Sequence, residues 1–119
     1  MSGMTHQLAN FAADLSYDDL PAEVIERTKL LIFDITGIMV RARHDAESTA
    51  SMISAVERLG LASGDCSVIG DKRAYAPTAA ALVNGTLAHS LDFDDTHAAG
   101  SLHSSAPIVP AALAAAEMA

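Results

Sequence analysis

The nine residues His89–His97, HSLDFDDTH, gather three carboxylates (Asp92, Asp94, Asp95) and two imidazoles into one short stretch. In a chain that is 50% apolar and only 18% charged, such clustering asks for a chemical reason. Asp92 and Asp95 are three apart, and His89 lies three before Asp92. A helix that continued past Ser90 would therefore place all three on one face. A carboxylate beside an imidazole is an acid/base pair, able to take up and return protons near neutral pH. The plain alternative is a helix C-terminus that happens to be polar.

The letters DFDDT fit other chemistries less well. Phosphatases of the haloacid-dehalogenase type use Asp-x-Asp-x-Thr with a magnesium ion, but there an apolar parallel strand leads directly into the motif. Here VNGTLAHSL precedes it, small and helical in pattern. Terpene cyclases that protonate their substrate through Asp-x-Asp-Asp line the cavity with aromatic rings. This chain has no tryptophan and five other aromatic residues. A divalent-metal site is chemically open to carboxylates and imidazoles, yet the spacing matches no standard metal loop. The spacing therefore does not favour a metal.

The elements that must position these groups read as helices. Thr5 is placed to cap a first short helix carrying Leu8, Phe11, Ala12 and Leu15 at helical spacing. A second follows Pro21, with Val24, Ile25, Thr28, Leu31, Ile32 and Ile35 on one face and Glu23, Glu26, Arg27 and Lys29 opposite. From Leu30 to Val40 it is apolar nearly all round, which predicts burial against other helices. A third is expected from Asp45 to Leu59, with Met52, Ile53, Val56 and Leu59 inward and GLASGD ending it. CSVIG, residues 66–70, is the one plausible strand, with GDKR turning behind it. A fourth helix opens at Pro77, with Ala81 and Gly85 leaving a smooth patch for close helix approach. A fifth, rich in alanine, opens near Pro107. The fold class is thus all-α, with one short strand near residues 66–69, in a single helical unit over residues 1–119.

Composition narrows the partners. Fifteen acidic against seven basic residues give a net charge of −8, which repels nucleic acid and anionic lipid. The N-terminus has no cation ahead of an apolar stretch, as a signal peptide would, and Leu30–Val40 is too short to cross a bilayer. The single cysteine, Cys66, can form no internal disulfide and suits a reducing cytoplasm; it reads as a small buried apolar residue. The chain reaches Ala119 still in apolar helical pattern, without the glycine, asparagine or cation that closes a helix. We therefore expect the N-terminal part of a longer protein.

APTAAALVNGTLAHSLDFDDTH followed by GSLHSSAPIVPAALAAAE resembles the family of 2-methylcitrate dehydratase and cis-aconitate decarboxylase, labelled MmgE/PrpD. Asn-Gly, Ala-His, Asp-Phe-Asp-Asp-Thr and a later His-x-Ser recur there as an ordered set. The likeness extends upstream to IERTKLLIFDITGIMVRA and CSVIGDKRAYAP, so it covers effectively the whole chain. It implies a lyase or isomerase without cofactor or metal, acting on a small polycarboxylate by proton abstraction beside a carboxyl group and loss of water or CO₂. It also implies that Asp92, Thr96 and His103 are active-site residues: Asp92 and His103 as acid/base groups, Thr96 as a hydrogen-bonding positioner. His103 departs from the family pattern in being followed by Ser104 where a proline is usual. His97 competes with it, but His103 stands just before the fifth helix, whose free N–H groups favour a bound carboxylate.

One feature of the sequence limits what this segment does alone. From Ala74 to Ala119 there is no lysine or arginine. A polycarboxylate pressed against three aspartates would be repelled, so the cationic half of such a site is expected from a missing C-terminal region or a companion chain. The full-length form is expected to be a homo-oligomer, a homodimer in the simplest case. The rival expectation is a non-catalytic helical module that associates through its alanine-rich last helix.

Overall fold

The computed structural model describes residues 3–119. Five α-helices carry the fold: α1 (Met4–Asp14), α2 (Ala22–Asp45), α3 (Ser48–Arg58), α4 (Pro77–His89) and α5 (Ser105–Met118). Between α3 and α4, β1 (Cys66–Ser67) and β2 (Ala74–Tyr75) pair antiparallel, with Cys66 opposite Tyr75. Among the described residues, no helix is long and apolar enough to cross a membrane.

α4 is the central element, packed against α2, α3 and α5. Its small residues Ala79, Ala80 and Ala88 are fully buried beside Val83 and Leu87, which lets neighbouring backbones come close. α2 meets it with Ile35, Ile38, Met39 and Ala42, a stripe at helical spacing. α3 presents Thr49, Ile53 and Val56, and the Thr49 hydroxyl donates to the Ala42 carbonyl at 2.9 Å. α5 adds Ala106, Pro110 and Ala114.

The all-helical expectation holds, and several boundaries move. Thr5 lies inside the first turn of α1, with Gly3 at the cap position. α2 runs through Asp45, so α3 starts later than expected, and Leu59 faces solvent rather than the core. α5 starts at Ser105, two residues before Pro107. Among the described residues, the buried side chains of α2 all lie in its second half, Phe33 is 80% exposed, and α1 buries none of its residues. Amphipathic spacing shows that a face can be buried; the neighbours decide whether it is.

The strand also has a partner that the sequence did not show, because two-residue strands are too short to carry an alternation signal. Side chains hold this hairpin. Asn84, buried in α4, donates to the Ser67 carbonyl and accepts from the Ile69 N–H, both at 2.9 Å. Glu117 near the end of α5 accepts from the Ser67 N–H at 2.8 Å, a bond that holds its carboxyl below the usual range. Cys66 is buried as expected, and burial pushes its thiol up. Gly64 passes so close to the Tyr75 carbonyl that any Cβ would collide with it.

Asn84→Ala strands two buried backbone groups at once. Unsatisfied groups of this kind cost about 1–3 kcal/mol, so urea denaturation of Asn84→Ala is expected to show a loss of at least that size.

Candidate active site

The site forms where α4 stops. Helical geometry ends at His89, and the Asp92 N–H closes a turn onto the His89 carbonyl at 2.9 Å. Asp92 takes a left-handed conformation, φ 55°, which aspartate tolerates better than most residues and which non-glycine residues adopt most often at constrained sites. His89, Asp92 and Asp95 therefore do not share a helical face. The turn sends the three carboxylates in three directions.

Asp95 goes to the start of α5. It accepts from the Ser105 N–H at 3.1 Å and from the Ser104 hydroxyl at 3.4 Å, capping the helix N-terminus. Hydrogen bonding from Ser105, with help from Ser104, holds its carboxyl below the usual range against the opposing effect of burial. Asp92 faces outward, its side chain 81% exposed, with Oδ1 4.0 Å from His103 Nε2. Asp94 goes inward. Its side chain is wholly buried, with both oxygens 3.0 Å from His89 Nδ1 and Oδ2 3.2 Å from His103 Nδ1. The two imidazoles stand edge to face, ring centroids 4.9 Å apart.

Of the residues expected at the site, the structure brings Asp92 and His103 together and leaves Thr96 apart, exposed on the connection beyond Asp95. His97 is occupied elsewhere: its Nδ1 accepts from the Gly100 N–H at 2.9 Å, and its backbone bridges to Leu102. Sequence reasoning paired His89 with Asp92 and Asp95 and missed its actual partner, Asp94. The signal for His89 was present in its spacing from the acidic run. Nothing in the spacing separated Asp94 from its neighbours, because which aspartate turns inward depends on the backbone after α4.

A cleft of about 690 Å³ opens between α4 and the segment leading into α5. His89, His103, Thr86 and Ser90 supply polar lining, while Ala81 and Gly85 leave the space. No lysine or arginine lines it. One donor atom from each of His89, Asp92, Asp94 and His103 lies within 4.8 Å of the others. Two imidazoles and two carboxylates suit a borderline cation such as Zn²⁺, although His89 and Asp94 already satisfy one another.

The chain is similar to a cis-aconitate decarboxylase-like protein, oryM, of Aspergillus oryzae, at 38% identity over 97% of this chain and 23% of that protein. It is also similar to the cis-aconitate decarboxylase of Aspergillus terreus, at 35% identity over 98% of this chain and 24% of that enzyme. The chain thus spans about a quarter of the length of these relatives. Residues 6–119 match the MmgE/PrpD N-terminal domain, and with that match over the whole helical array and the acidic turn, the chain belongs to the MmgE/PrpD family.

Proposed function

We propose that this domain supplies the aspartate and histidine half of a lyase or isomerase site for a small polycarboxylate such as cis-aconitate or 2-methylcitrate. The observation that carries this reading is the meeting of Asp92 and His103, with Asp94 and His89 behind them, beside a cleft that holds no cation. Asp92 and His103 are the acid/base pair. One removes a proton from the carbon next to a carboxyl group, leaving the electron pair on the substrate. The other protonates the leaving hydroxyl, which departs as water; in a decarboxylation it protonates the carbon that keeps the pair of the broken C–CO₂ bond. Thr96 is a hydrogen-bonding positioner only if ligand or further protein closes over its segment.

The domain is the first part of a larger helical domain, cytoplasmic and homo-oligomeric in its complete form, and it uses neither metal nor cofactor. Its missing cations come from the region that the relatives carry beyond this match. Four carboxylates stand in residues 74–119 without one lysine or arginine, so a di- or tricarboxylate has nothing here to offset its charge. The 119-residue chain alone is therefore expected to turn over neither cis-aconitate nor 2-methylcitrate. Turnover appears when the remaining region is fused or added in trans, as followed by loss of substrate or release of CO₂. Turnover by the isolated chain would refute the division of the site. Absence of turnover with every form of the remaining region would favour the helical-module reading, for which Ile108, 62% exposed on α5, is a contact candidate.

A further inference from the structure

Asp94 is a wholly buried carboxylate in a segment with no lysine or arginine. Such a charge is strongly destabilising unless partners meet it. The partners here are two imidazoles. Both Asp94 oxygens sit 3.0 Å from His89 Nδ1 in hydrogen-bond geometry. His103 Nδ1 comes within 3.2 Å of Oδ2 but makes no hydrogen bond there. An ionised carboxylate only accepts, so the bond to His89 requires the proton on Nδ1. The lone pair of a neutral His89 ring then lies on Nε2, at the opposite edge. Among the described residues, Nε2 has no hydrogen-bond partner, and His89 lines the cleft with 56% of its side chain exposed.

We propose that His89 is a further acid/base group of the cleft and that Asp94 is its positioning residue, holding the ring proton on Nδ1 so that Nε2 accepts a proton from bound ligand. The proton leaves a C–H or O–H bond of the ligand, whose electron pair stays on the ligand. The imidazolium so formed lies against Asp94, which offsets its charge, and it returns the proton later to the product or leaving group. His103 stands edge-on to the ring at 70° and restricts its tilt. The proposal rests on the reading of the cleft as an acid/base site, but its first test needs no turnover.

His97 provides an internal contrast. Its Nδ1 accepts from the Gly100 N–H, so its own ring proton must sit on Nε2. Two-bond ¹H–¹⁵N correlation spectra of the 119-residue chain at about pH 8, above the ordinary imidazole range, are expected to show opposite tautomers: proton on Nδ1 in His89 and on Nε2 in His97. A proton on Nε2 of His89 would overturn the proposal. In Asp94→Leu, similar in size but unable to accept, His89 is expected to drift to the Nε2-protonated form that free imidazole prefers. If that variant does not fold, the contrast between His89 and His97 in the unaltered chain still decides. Stabilisation of the unaltered chain by micromolar ZnCl₂, lost in His89→Gln, would also overturn it, because Nδ1 would then be a metal ligand.

In an enzyme carrying this domain, His89→Gln is expected to lower kcat by about 10²-fold with KM little changed. An unchanged kcat would remove His89 from the chemistry while leaving Asp92 and His103 in place. If variants at Asp92 and His103 were equally silent, the failure would belong to the functional reading as a whole.

Discussion

Asp92→Asn, in an enzyme where this domain is joined to the region that completes it, is expected to lower kcat by about 10²- to 10⁴-fold, the usual loss for one positioned acid/base group. The substitution keeps size and most hydrogen bonding, and asparagine adopts the left-handed backbone at this position as readily as aspartate. The side chain is 81% exposed and contributes nothing to the core. Stability should therefore hardly change, which separates a chemical role from a structural one. His103→Gln is expected to act comparably. His97→Gln should leave the rate near that of the unaltered enzyme, since the His97 ring serves its own turn through Gly100. The reverse order, a silent His103→Gln and an inactive His97→Gln, would show that the second motif had been assigned to the wrong histidine.

Asp71→Ala should have the largest effect on stability. Its carboxylate, 7% exposed, accepts from the Tyr75 hydroxyl at 2.8 Å and from the Arg73 backbone N–H and guanidinium at 2.9–3.1 Å, with Arg43 at 3.4 Å. It joins the turn between β1 and β2 to α2, while Arg73 also pairs with Glu57 of α3. Removing it leaves the buried Tyr75 phenol without its acceptor, while Arg73 keeps only its pair with Glu57. Stranding a buried donor costs about 1–3 kcal/mol, and the lost bonds from Arg73 and Arg43 add to it, a large part of the ordinary 5–15 kcal/mol of a domain. Chemical denaturation reads this loss directly.

The pH dependence of the same group has a definite sign. Hydrogen bonds from Arg73, aided by Tyr75, outweigh burial and hold the Asp71 carboxyl well below the usual carboxylate range. A carboxyl whose value is depressed on folding contributes stability that is complete above its unfolded value, near 3.9, and fades as pH falls toward the folded one. The stability difference between the unaltered chain and Asp71→Ala is therefore expected to be constant near neutrality and to shrink below about pH 4. A difference that grew on acidification would mean that Asp71 is not the acceptor in this network.

All five helices and the class of the fold were legible in the sequence, because the helical spacing of Val24, Ile25, Thr28, Leu31, Ile32 and Ile35, or of Met52, Ile53 and Val56, is local information. So was the close packing of α4, since alanine and glycine at that spacing leave no side-chain bulk to separate two helices. The acidic run, its resemblance to a family, and the missing cations were legible too, as statements about which residues are present. How those residues divide their work was not. Asp92, Asp94 and Asp95 are chemically alike and adjacent, and helical spacing pointed to a shared face for His89, Asp92 and Asp95. The left-handed backbone at Asp92 ends that geometry and turns the three carboxylates outward, inward and onto the start of α5. Whether a carboxylate is a cap, a buried partner of imidazole or an exposed acid/base group depends on what stands opposite it. His89 and His103, fourteen positions apart in the chain, meet around Asp94 only because α5 packs back against α4.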